Sequence, residues 1–136
     1  MIEQEIYLLF YLKGGLYAIE LCYVQQVIRL KPEHFTQSGN IRGVLPYRGR
    51  ELPVIDLCYL FRQQNLLSMG EGIILFPTEA CLLVEQVLDI WEIETPLQTL
   101  SKEFQKTQYF LSTTTKNQQV VLILDIPHLL QHIPED

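Results

Sequence analysis

Positive charge is scarce in this chain: ten lysines and arginines stand against sixteen aspartates and glutamates, a net charge of −6 over 136 residues. A face that holds phosphates would push that balance the other way, so no nucleic acid partner is expected. Long hydrophobic runs are missing as well. The longest, Ile6 to Leu12, falls far short of the ~20 residues a spanning helix needs, and no membrane insertion is expected. The opening residues, Met-Ile-Glu-Gln-Glu, are acidic where a secretory leader is basic. Cysteines are few and odd in number. Cys22, Cys58 and Cys81 lie far apart in apolar sequence, which reads as buried free thiols in a reducing cytoplasm.

Signatures of catalysis are absent too. There is no Gly-x-Ser-x-Gly elbow, and no cysteine adjoins a histidine in a recognisable motif. Gly70-Glu-Gly72 is too short for a phosphate loop, and no Lys-Ser or Lys-Thr follows it. His128 and His132 are spaced i, i+4 on a C-terminal helical segment, where both could face one metal ion, but no third ligand accompanies them. A polar helix face accounts for the pair. The expectation is a protein that is not an enzyme, with no cofactor and no metal.

What is present is a well-defined hairpin pattern. With 48% hydrophobic residues, the chain has enough apolar sequence for a packed core. Two β-prone runs, Val44-Leu45 and Leu52-Pro-Val-Ile55, flank a tight Tyr47-Arg-Gly-Arg50 corner in which Gly49 supplies positive φ. Arg48 and Arg50 sit at this corner and Arg42 at its foot, so three of the ten basic residues fall within nine positions. Guanidinium groups on a turn beside buried strands suit the capture of a partner's carboxylates.

The rest of the chain reads as further hairpins. Glu5–Leu12 and Leu16–Glu20 flank Lys13-Gly-Gly15, and Ile73–Phe76 and Ala80–Glu85 flank a Pro77-Thr-Glu79 turn. Tyr109–Leu111 and Val120–Leu124 close the chain around a turn over Thr113–Gln119, and Ile126–Ile133 forms a last short helix. The pattern is duplicated. Pro53-Val-Ile-Asp56 and Leu122-Ile-Leu-Asp125 each end an apolar strand on an aspartate, with a leucine four places later. Ala18-Ile-Glu20 and Leu83-Val-Glu85 occupy matching earlier positions, and the four carboxylates read as caps and turn residues. Two copies of such a unit suggest two similar β lobes, built as small barrels that leave no sheet edges.

On these residues the chain resembles the CheW family, adaptor proteins of bacterial chemosensory arrays. Ile41-Arg-Gly-Val-Leu-Pro-Tyr-Arg-Gly-Arg-Glu-Leu-Pro-Val-Ile-Asp-Leu57 is similar to the family's Gly-Val-x-Asn-x-Arg-Gly and the Pro-Val-Ile-Asp-Leu strand after it. Tyr17–Arg29 and Leu82–Val87 resemble the family's preceding segment and its second-half strand. Pro46 stands where the family has asparagine, and Tyr109–Lys116 has no Gly-Val-x-x-Leu-x-Gly-Arg equivalent.

The resemblance implies an all-β fold of two five-stranded SH3-like β-barrel lobes with short helices, intertwined into one domain over residues 1–136. It implies two partners, the cytoplasmic tip of a chemoreceptor and the regulatory domain of a CheA-type histidine kinase. It also implies a cytoplasmic protein recruited to membrane-associated receptor arrays. The partner-binding residues it implies are Val24, Gly43, Arg48 and Gly49 from one lobe and Val87 and Ile90 from the other. Gly43 would either let a partner's backbone approach closely or serve the twist of its strand. The alternative is a CheW-like docking protein for another signalling partner, without kinase contact.

Overall fold

The structure is a computed structural model describing residues 6–77, 79–92 and 109–131. Among these residues, β-branched and aromatic runs bounded by turn residues become ten short strands. The first half holds β1 (Ile6–Leu12), β2 (Gly15–Glu20), β3 (Val24–Leu30), β4 (Ile41–Tyr47) and β5 (Arg50–Asp56). It ends in the helix α1 (Leu57–Arg62). The second half repeats this order with β6 (Gly70–Leu75), β7 (Cys81–Val84), β8 (Gln86–Glu92), β9 (Phe110–Lys116) and β10 (Gln119–Leu124), and then α2 (Ile126–Gln131).

The strands form two five-stranded sheets, in the orders β8-β1-β2-β10-β9 and β3-β6-β7-β5-β4. Each half of the chain thus gives its first hairpin to one sheet and its next three strands to the other. The two sheets have the same plan. A hairpin (β1–β2 or β6–β7) is flanked on one side by an antiparallel strand and on the other by a parallel one, β10 beside β2 and β5 beside β7.

Closed barrels were expected, and the pairing differs. In the described residues β8 and β9 end one sheet, β3 and β4 the other, and no backbone ladder joins the ends. Side chains make the closing contacts instead. The Tyr47 hydroxyl on β4 donates to Gln26 Oε1 on β3 at 2.9 Å, and Lys116 Nζ on β9 lies 5.1 Å from the centre of the Trp91 ring on β8. Pro46 is tolerated on β4 because that strand is an edge, where a missing N–H leaves no ladder bond unmade.

Three hairpins turn on two residues that both have positive φ: Lys13-Gly14, Arg48-Gly49 and Asn117-Gln118. Such turns match the right-handed twist of the flanking strands. The last corrects the expected long turn over Thr113–Gln119, since Thr113–Lys116 continues β9. Gly70 and Gly72 belong to packing: a Cβ at either would collide with the Val84 carbonyl or the Cys81 sulfur on β7.

The main core is shared. Leu8, Phe10, Tyr17 and Ile19 from one sheet pack with Val54, Ile73, Leu82 and Leu83 from the other. Phe61 of α1 seals the joint, with its ring centre 5.4 Å from that of Tyr17 and 5.2 Å from that of Phe110. A smaller cluster of Tyr7, Leu9, Ala18, Val121 and Ile123 fills the other face of the first sheet, with Trp91 packed against it. Cys58 and Cys81 are buried, and desolvation pushes their thiols up to about 11 and about 12. Cys22 departs from the expectation of three buried thiols: it is exposed, on a 3₁₀ turn between two sheets.

Both aspartates cap the helices that follow them. The Asp56 carboxylate accepts from the Tyr59 N–H at 3.3 Å, and the Asp125 carboxylate from the His128 N–H at 3.2 Å. Their surroundings differ. Asp56 is fully buried and also takes bonds from Arg42 at 3.2 Å and Asn65 at 2.9 Å. Asp125 is paired with His128 at the surface, 2.9 Å away. Replacing Asp56 with Ala leaves the largely buried Arg42 guanidinium and the Asn65 amide without their shared acceptor and should cost about 3 kcal/mol in urea unfolding. Asp125→Ala, which loses mainly a cap, should cost about 1 kcal/mol. Thiol alkylation of the native protein should modify Cys22 alone, with Cys58 and Cys81 reacting only after denaturation; mass spectrometry reads the difference.

Candidate partner-docking site

The β4–β5 hairpin carries the arginine corner. Tyr47 and Arg50 form its last pair, and the turn holds Arg48 at φ +50° and Gly49 at φ +78°. Both turn residues are exposed, so the Arg48 side chain is presented to solvent, with its guanidinium carbon 5.1 Å from the centre of the Tyr47 ring.

The three arginines have separate fates. Arg42 is the extra residue of a β-bulge, where the register shifts between Ile41 and Gly43. A bulge re-aims its side chain, and here the guanidinium turns inward to Asp56, to the Leu67 carbonyl at 3.0 Å and over the Phe35 ring at 4.7 Å. It holds the fold and offers nothing to a partner. Arg50 is ion-paired with Glu79. Arg48 makes no ion pair among the described residues.

Behind the corner, the curl of the sheet leaves a hollow of about 220 Å³. Gln25, Tyr47, Leu52, Phe76 and Glu79 line it, together with the exposed Arg48 of the turn. A second hollow, about 130 Å³ and almost wholly apolar, lies beside it between Tyr23, Phe76, Pro77, Ile126, Pro127 and Leu130. Phe76 borders both. Its N–H donates to the Tyr23 carbonyl at 2.9 Å, and the peptide bond to Pro77 is cis. The residue is 57% exposed, an apolar ridge between a charged rim and a greasy groove.

The other sequence-derived candidates fall in two places. Val24 is partly buried against the core, between Tyr23 and its strand partner Leu75, both of which line the apolar groove. Val87 is its counterpart in the other sheet. Each stands just before a bulge, at Gln25 in β3 and at Leu88 in β8. Val87 is partly buried against the core, and its N–H donates to Glu71 Oε1 at 2.7 Å, tying β8 to the other sheet. Ile90 is 58% exposed on β8, near the exposed Leu88 and Ile6. Val87 and Ile90 line neither hollow.

Gly43 is buried, at φ +155°, and a Cβ there would collide with the carbonyl oxygen of His34. The close approach is made by the chain's own loop. His34 also accepts from the Lys31 N–H through Nδ1 at 3.0 Å, and its neighbour Phe35 packs against the core.

Sequence reading missed Phe76, Glu79 and the α2 side of the groove. Ile73–Phe76 read as one strand of a hairpin, and only the tertiary structure shows that its last residue is exposed. The Phe-Pro-Thr-Glu order was the available signal, since an aromatic before a proline turn lies at the end of its strand. Among the described residues no group of three or more His, Cys, Asp or Glu side chains is placed to hold a metal ion. His132, the second member of the histidine pair, lies outside the described residues. No helix among them is long and apolar enough to cross a membrane.

Architecture and site define a class: a duplicated all-β domain whose halves exchange strands and whose one mouth carries a basic rim beside an apolar groove. The chain belongs to the CheW-like domain family, whose model matches residues 6–134. Among solved structures, the scaffolding protein TtCheW from Thermoanaerobacter tengcongensis shares the fold, with a TM-score of 0.76 at 19% identity over 93% of this chain and 87% of that one. No curated protein sequence matches.

The steric demand at Gly43 gives a direct test. Gly43→Ala should lower stability by about 1–3 kcal/mol in chemical denaturation without any partner present. A glycine needed only by a partner would leave unfolding unchanged.

Proposed function

We propose that this chain is a non-catalytic adaptor that couples the cytoplasmic tip of a chemoreceptor to the regulatory domain of a CheA-type histidine kinase. Such an adaptor works in the cytoplasm and is recruited to receptor arrays at the membrane. The family supports the adaptor role in general terms. The observation that carries the finer reading is the pairing of the solvent-facing Arg48 with the exposed Phe76 ridge and its apolar groove. A helical hairpin with glutamates on its exposed face and leucines beneath fits such a surface, apolar side chains seating in the groove and a carboxylate meeting the guanidinium.

The contact set carried over from the family is Val24, Gly43, Arg48, Gly49, Val87 and Ile90. Within it, Arg48 supplies charge, Gly49 lets the turn form, and Val24 and Ile90 supply apolar area. Gly43 and Val87 act on the site through the backbone they hold. Ile90, with Leu88 and Ile6, offers a second apolar patch on the other sheet, suited to the second partner.

Arg48→Glu should weaken binding to the receptor fragment or the kinase regulatory domain about tenfold or more, by calorimetric titration of the purified proteins. The urea midpoint should stay within error of the wild type, since Arg48 is an exposed turn residue with its guanidinium over the Tyr47 ring. Unchanged binding to both partners would remove the hairpin from the docking surface. Binding to a receptor with no measurable affinity for any CheA-type kinase would favour the alternative, a docking protein outside the kinase pathway.

A further inference from the structure

The hollow behind the hairpin already holds one carboxylate. Arg50 and Glu79 face each other across it and form an ion pair, while Arg48 on the same hairpin is ion-paired with nothing among the described residues. Glu79 is carried by the loop that joins β6 to β7. That loop is pinned on both sides, by the Leu75 N–H to the Ala80 carbonyl at 2.9 Å and by the Phe76 N–H to the Tyr23 carbonyl. The carboxylate is therefore delivered to Arg50 by the frame of the sheet and not by a wandering side chain alone. Both groups remain open to solvent, at 67% and 39% side-chain exposure, so the pair is weak and exchangeable.

From this arrangement we infer that Glu79 is an internal competitor for the partner's carboxylate, setting affinity and selectivity at the docking hairpin by occupying Arg50 until a partner displaces it. The inference rests on the reading of the hairpin as a carboxylate-capturing surface. A partner presenting one acidic group meets Arg48 unopposed, but has the like charge of Glu79 close by. A partner presenting two carboxylates one helical turn apart can take Arg48 with the first and compete for Arg50 with the second. The hollow thus selects a doubly acidic helix face over a singly acidic one, because only the former recovers what the displaced Glu79 gives up.

The test uses the full chain, labelled with ¹⁵N, and a helix-forming synthetic peptide with glutamates at i and i+4. The arginine Nε–H signals are followed during titration. In the wild type, the Arg48 signal should shift fully on saturation and Arg50 only in part, because Glu79 still holds Arg50 in a fraction of the complexes. In Glu79→Gln, both should respond together, with affinity raised about two- to fivefold, the size expected for losing one exposed ion pair. Glu51→Gln makes the same charge change on β5 outside the hollow, and it separates local competition from net charge. If Glu79→Gln binds no tighter than Glu51→Gln while Arg48 still responds, the competitor role is overturned and the docking surface stands. If neither arginine responds to the peptide in any of the three proteins, carboxylate capture at this hairpin fails and the competitor role with it.

Discussion

The buried carboxylate of Asp56 is the constraint on which the first lobe depends. One group ends β5, caps α1 and receives Arg42 and Asn65. Asn65 in turn exchanges bonds with the backbone of Gly39, and the Asp56 N–H reaches the Asn40 carbonyl at 2.8 Å. The loop before β4, the bulge in β4, the end of β5 and the connection after α1 are all tied to this point. Burial raises the strength of each bond and equally the cost of losing one. With α1 fixed, Phe61 is set into the aromatic stack that Tyr17 and Phe110 of the first sheet present to it.

The duplication explains which features repeat and which do not. Each half has a bulge near the start of its fourth strand, at Arg42 and at Leu111, and an aspartate at the end of its fifth. In the first half an arginine occupies the bulge and its aspartate can be buried. In the second the bulge holds leucine, and Asp125 keeps to the surface with His128. A carboxylate without a cation cannot be taken out of water cheaply. The bulge residue and the aspartate thus change together: Arg42 goes with a buried carboxylate and Leu111 with one at the surface.

Strand exchange binds the two sheets into one unit. Because each half of the chain contributes to both sheets, neither sheet forms without the other, and the core that joins them is continuous. The hairpin with Arg48 stands on β4 and β5 at one sheet's edge, while the opposite wall of its hollow comes from the β6–β7 connection of the second half. The apolar groove likewise joins Tyr23 from the first half to α2 from the last residues of the second. Both hollows are assembled from segments distant in sequence.

Much of the architecture was written in local sequence. Alternating and continuous apolar runs, glycines at turns and two aspartates at strand ends were enough to place most strands, the helix after Asp125 and the repeat, because these follow from backbone sterics and capping over a few neighbouring residues. Gly49 and the Arg48 corner were legible for the same reason. The exchange of strands between sheets, the open ends where barrels were expected, and the inward turn of Arg42 were not. Nor was the exposure of Phe76, the exposure of Cys22 or the pairing of Arg50 with Glu79. These depend on which distant segments meet, and side-chain type alone does not say whether a guanidinium will face a buried carboxylate, a surface one or water. Sequence by itself determined the strands, the turns and the family; tertiary structure decided which charges remain free, because partners for charge are chosen by long-range contact.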